Sequence, residues 1–268
     1  MPDAVHGSIL LAFALTAGAG LATGIGSAIA FFTSRTNKSF LSFALGFSAG
    51  VMIYVSFAEL LVRAFHSLGE SLGTAAGRWA GAGAFFGGFA AAMIVDMLVP
   101  APENPHAFHV AGDAGGAGEK SRLMRLGVMT AVIIGVHNFP EGLAAFAAAL
   151  SDTRVGVSIA VAIAIHNIPE GISVSVPIHA ATGSRKKAFW YSFLSGLAEP
   201  VGALVGFVVL RPFFSKTLFG VLFGVVAGIM VFIYLDELIP AAKEYERGHV
   251  AVYGMGLGML VMAVSLLI

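Results

Sequence analysis

The run VGVSIAVAIAIHNIPEGISVSVPIHAA, Val155–Ala181, decides how this chain is read. As a helix rising 1.5 Å per residue it is long enough to cross a bilayer core of about 30 Å. Its flanks are apolar, yet its middle holds His166-Asn167-Ile168-Pro169-Glu170-Gly171. A charge at the bilayer centre costs at least about 2.5–3.5 kcal/mol on insertion scales, so ionisable groups there mark a function. His166 and Glu170 stand four residues apart and share one helix face, with Asn167 close beside it. Proline removes a helical hydrogen bond and crowds the carbonyl four residues back, which predicts a kink at the motif. Irregular backbone at that depth is tolerated only where it faces protein or a watery cavity.

Upstream, the same hexapeptide recurs as His137-Asn138-Phe139-Pro140-Glu141-Gly142 inside the apolar stretch Leu123–Leu150. Counting between flanking polar residues places both copies at the middle of their helices. Glu199, equidistant from Lys187 and Arg211, falls at the same depth in the next stretch, and no lysine or arginine lies at that depth in the three. Three glutamates and two histidines gathered at mid-bilayer call for a neutralising partner. Imidazole nitrogen, carboxylate oxygen and amide carbonyl are together a donor set for a divalent transition metal. The two copies lie on sequential, antiparallel helices and form an inverted pair, an arrangement found at midplane sites of secondary transporters.

The rest of the chain agrees with a membrane setting. Of 268 residues 57% are hydrophobic and only 11% charged, against about 25% charged in soluble domains. That is too little polar side chain to coat a water-facing surface. Eight stretches qualify as transmembrane helices: Gly7–Phe32, Phe40–Phe65, Ala76–Val99, Leu123–Leu150, Val155–Ala181, Ala188–Leu210, Leu218–Ala242 and Val250–Ile268. The fold class expected is therefore all-α, a polytopic bundle of eight helices forming one integral membrane unit over residues 1–268. Met1–Gly7 lacks the basic flank of a signal peptide, so the first stretch is read as a retained span.

The basic residues Arg35, Lys38, Lys120, Arg122, Arg125, Arg185, Lys186, Lys187, Lys243 and Arg247 collect on one side, against Arg63, Arg78, Arg154, Arg211 and Lys216 on the other. The richer side belongs to the cytoplasm, which leaves both termini outside. The longest connection, Pro100–Arg122, is rich in proline, glycine and alanine and carries His106 and His109; a mobile cytoplasmic loop is expected. Gly83 with Gly87, and Gly254 with Gly258, read as helix-packing faces.

Several function classes drop out. The chain has no cysteine, which excludes disulfides and thiolate ligands, and zero formal net charge gives no reason to expect a nucleic-acid partner. A membrane metalloenzyme of the di-iron carboxylate kind would use Glu-x-x-His on helices without an interior proline; here the order is His-x-x-x-Glu, and no HExxH is present. No enzyme activity and no prosthetic group are expected. A carrier of protons or of an organic solute, with the histidines as relays, is the other transporter reading. Helix-kinking prolines beside satisfied core histidines would leave the repeated carboxylates unexplained.

With its paired hexapeptides, with Ser195-Gly196-Leu197-Ala198-Glu199-Pro200 in the sixth stretch and with Leu235-Asp236-Glu237-Leu238-Ile239-Pro240 in the seventh, the chain resembles the ZIP (Zrt/Irt-like) divalent-metal transporters over essentially its whole length, most closely their bacterial ZupT-like and GufA-like group. The resemblance implies uptake of zinc, and of iron, manganese, cobalt and cadmium, across the inner membrane. It implies a binuclear centre: one position of His137, Glu141, His166 and Glu170, a second of Asn138, Asn167 and Glu199, with Glu141 and Glu170 bridging. Met52 would match a methionine near the first position in some relatives. A homodimer and an elevator-like movement of spans one, four, five and six are further implications. Glu59, Asp96, Asp236 and Glu237 lie near span ends, where solvation and helix capping compete with a place on an exit path.

Overall fold

The computed structural model describes residues 7–32, 38–98, 117–244 and 248–267, and among these there is no strand. The elements are α1 (Ile9–Phe32), α2 (Lys38–Val55), α3 (Leu61–Leu72), α4 (Thr74–Leu98), α5 (Ala117–Ser151), α6 (Thr153–Thr182), α7 (Arg185–Gly196), α8 (Ala198–Leu210), α9 (Lys216–Ile233), α10 (Ile239–Glu244) and α11 (Val250–Leu267). They make eight segments long and apolar enough to cross a membrane. The all-α, eight-span expectation is met. The second span is α2 joined to α3, the sixth α7 joined to α8, and the seventh α9 joined to α10.

Local chemistry accounts for the ends. Asp152 caps α6, its carboxylate accepting from the N–H of Arg154, while Ser184 caps α7 and Ser215 caps α9. Gly183 stops α6 in the left-handed region at φ 64°, where a Cβ would be strained. Of the expected loop Pro100–Arg122, residues 117–122 begin α5 instead, because Glu119, Lys120 and Arg122 favour helix over loop. His106 and His109 lie outside the described residues.

Three backbone irregularities add to what the sequence predicts. The helices α5 and α6 run unbroken through Pro140, Pro169 and Pro177. The break falls in the sixth span, at Leu197, where Pro200 cannot donate to the carbonyl of Gly196. The second and seventh spans each contain a π-helical turn, Ser56–Leu60 and Tyr234–Leu238: the N–H of Leu61 reaches back to Ser56 O, and that of Ile239 to Tyr234 O. Such turns insert one residue and concentrate at functional places. They carry Glu59 in one case, and Asp236 with Glu237 in the other.

The two π turns belong to an inverted repeat of the whole molecule. Gly46, Gly50, Met52, Glu59, Leu60 and Ala64 recur at one constant offset as Gly224, Gly228, Met230, Glu237, Leu238 and Ala242. The packing repeats with them. A Cβ on Gly50 would strike Met255 O and one on Gly258 would strike Phe47 O; the twin contacts are Gly228 on Phe85 O and Gly88 on Val225 O. The same holds nearer the hexapeptides. Gly26 abuts Ile168 O and Gly171 abuts Thr23 O, as Gly202 abuts Phe139 O and Gly142 abuts Glu199 O. Spans one, two, three and four thus pair with six, seven, eight and five, which cross in the opposite sense. Gly20 and Gly196 abut each other's carbonyl oxygens, so the pseudo-twofold axis passes between them.

Small residues let these backbones touch, as membrane packing requires. Gly254 and Gly258 do so against the backbone of Phe43 and Phe47. Gly83 and Gly87 do not: a Cβ on either meets nothing within 4 Å, because the face of α4 turned to α9 carries Ala84, Phe85 and Gly88 instead. Large apolar side chains such as Trp79, Phe86, Val208 and Leu260 point outward, as suits a lipid-facing surface.

Candidate functional site

Helices α5 and α6 present their hexapeptides to each other, with α1 and the α7–α8 break closing the other side. Asn138, Glu141, His166, Asn167 and Glu199 are fully buried, and Glu170 is 1% exposed. Glycine at the end of each hexapeptide makes this possible. Gly142 brings α5 against the backbone of Glu199, and Gly171 brings α6 against that of Thr23.

Contacts run between helices. His166 Nε2 lies 3.0 Å from Glu141 Oε2, joining the two motifs directly. The Asn167 amide donates to Ala19 O at 2.9 Å and also to the Glu199 carboxylate. The Asn138 amide donates to Ser195 O at 3.3 Å. Ala19 and Ser195 are themselves twins under the pseudo-twofold relation, so the two asparagines make the same bond in opposite halves.

Among the described residues, four oxygens at this centre find no hydrogen-bond donor: Asn138 Oδ1, Asn167 Oδ1, Glu141 Oε1 and Glu199 Oε2. Buried acceptors left unmet cost free energy, and carboxylates cost most. The carboxylates of Glu141 and Glu199 and the amide carbonyls of Asn138 and Asn167 make this buried centre richer in acceptors than in donors. A cation satisfies such acceptors directly.

The side chain of His137 lies outside the described residues. Among the described ones, no three His, Asp or Glu side chains converge on a single point that would hold an ion. What is brought together is the Glu141–His166 pair, with the Asn167–Glu199 pair beside it, since Asn167 follows His166 on α6. Met52, in the second span, is fully buried.

A second feature was invisible in sequence. A cavity of about 130 Å³ opens between α4, α5 and α9, lined among others by Asp96, Ile133, Pro140 and Glu237. Pro140 belongs to the first hexapeptide, so the cavity begins at the motif and carries two carboxylates. Sequence offers the acidic residues but no sign that they share a space, since that depends on how α4 and the seventh span pack.

A family model described as ZIP Zinc transporter matches residues 102–266. Proteins called zinc transporter ZupT are similar over nearly their full length. That of Nitratidesulfovibrio vulgaris is 58% identical, covering 98% of both chains. That of Lysinibacillus sphaericus is 56% identical, covering 98% of this chain and 99% of its own. That of Streptococcus mutans serotype c is also 56% identical, at 97% and 98%. Eight spans, twin hexapeptides facing across α5 and α6, and these likenesses make the chain an integral membrane protein that belongs to the ZIP zinc transporter family.

Proposed function

We propose that the protein carries zinc, and with less discrimination iron, manganese, cobalt and cadmium, across the bacterial inner membrane into the cytoplasm. The observation that carries this reading is the fully buried Glu141–His166 pair, beside Asn167 and Glu199, in a bundle of membrane spans. The names of the relatives support zinc as the cargo. Oxygen and imidazole ligands without thiolate hold several divalent metals in turn, and hold them loosely enough to release.

The centre is binuclear: His137, Glu141, His166 and Glu170 form one position, and Asn138, Asn167 and Glu199 the other, with Glu141 and Glu170 bridging. Orphaned oxygens on Glu141, Asn138, Asn167 and Glu199 support that assignment. The ion sheds water on entering, replaces the missing donors of the acceptor cluster, and leaves when access alternates. The uneven spread of basic residues supports an orientation with both termini outside.

Zinc uptake into proteoliposomes tests the reading. Wild-type protein should load zinc, whereas Glu141→Ala and Glu199→Ala, reconstituted to the same density, should each lose at least about tenfold of the rate, as buried charged ligands do. Uptake by both variants equal to wild type would refute it.

A further inference from the structure

The inverted repeat sets Thr23 of α1 opposite Glu199 of α8, residue for residue. Gly171 abuts Thr23 O just as Gly142 abuts Glu199 O, and the flanking pairs Ala19 with Ser195 and Gly26 with Gly202 keep the same register. One arm of the repeat therefore ends in a carboxylate and the other in a hydroxyl. Thr23 is fully buried, and among the described residues its Oγ1 has no hydrogen-bond partner.

That is unusual for a threonine in a helix, which ordinarily bonds to the carbonyl four residues back. Thr16 does so to Ala12 O at 2.9 Å, and Thr182 to Ile178 O at 2.7 Å. For Thr23 the corresponding carbonyl, Ala19 O, accepts from Asn167 instead. The hydroxyl points to the α7–α8 break, where a Cβ on Gly196 would come within 2.8 Å of Oγ1. The neighbouring carbonyl, Ser195 O, is the one that Asn138 grips, and Asn138 Oδ1 is unpartnered too. Two unmet oxygens thus flank the same break.

We propose that the Thr23 hydroxyl is a further binding residue of the site, giving an oxygen to the divalent cation or to its bound water on the half served by Asn138. It is the neutral counterpart of Glu199. This rests on the metal-transport reading and adds α1 to the ligand-bearing helices. A hydroxyl in place of a second carboxylate keeps that arm uncharged, so the ion is held firmly from one side only and leaves toward the other.

Two variants test it, with zinc alone as the probe. Thr23→Val keeps the shape and removes the oxygen; Thr23→Ser keeps the oxygen. Zinc binding to detergent-solubilised protein is read by calorimetry, and uptake by proteoliposomes gives KM and maximal rate separately. Loss of one oxygen contact should raise both the dissociation constant and KM about tenfold in Thr23→Val, with maximal rate per folded protein within about twofold. Thr23→Ser should stay within about twofold of wild type. If Thr23→Val fails to fold, Thr23→Ala takes its place. Equal binding by wild type and the oxygen-deleted variant overturns the proposal, as does a serine variant as impaired as valine, and so does a wild type that binds no zinc. Wild-type protein that binds zinc but does not move it would instead overturn the transport reading, leaving Thr23 to be judged by calorimetry.

Discussion

His166 and Glu141 illustrate what a sequence can carry at the scale of the residue. Their types and spacing, repeated once, were enough to place them at one depth and face. Their 3.0 Å contact follows from that placement. Thr23 carried no such mark: it lies in a run of alanines and glycines, and only the packing of α1 against α6 and α7 makes it notable. The same donor set predicts a pH dependence. Imidazole must be neutral and carboxylates ionised to bind a metal, so protons and metal compete. Zinc uptake into liposomes with no imposed proton gradient should fall as the pH goes from 7 to 5. A steady rise over that interval would contradict the ligand set.

Along whole elements, the eight spans were readable because each is an apolar run bounded by polar residues, and hydropathy needs nothing more. The π turns were not, since one extra backbone residue leaves no periodic trace. Gly83 and Gly87 differ for a related reason: a glycine pair four residues apart says that backbones could touch, and not whether this chain places a partner on that face. Stability measurements separate the cases. Gly26→Ala and Gly202→Ala, each driving a Cβ into a backbone carbonyl that cannot swing aside, should each lower stability by about 1–3 kcal/mol. Gly83→Ala and Gly87→Ala meet open space and should stay level or gain slightly, since alanine favours helix. Thermal unfolding in detergent, followed by the fluorescence of Trp79 and Trp190, would show the contrast; equal losses at all four positions would refute the packing account.

For the molecule entire, the sequence repeat between the second and seventh spans could have been found by aligning the chain with itself, but its meaning is geometric. The two halves are built alike and are not packed alike. Ile133 lines the cavity between α4, α5 and α9 and is half-buried, whereas its twin Ala162 is 1% exposed and belongs to the core. Because the chain has no cysteine, single substitutions can report this. Ile133→Cys should react with a small thiol reagent roughly tenfold faster than Ala162→Cys in zinc-free membranes; comparable rates would mean that the asymmetry does not persist in a bilayer. The mirrored halves have a last effect, on how the newborn protein finds its bearings. A scaffold whose front copies its back offers a membrane almost no clue to which end belongs where, and leaves that choice to a handful of lysines and arginines in the connecting turns. Moving a few of them across should yield molecules inserted upside down, intact and still folded.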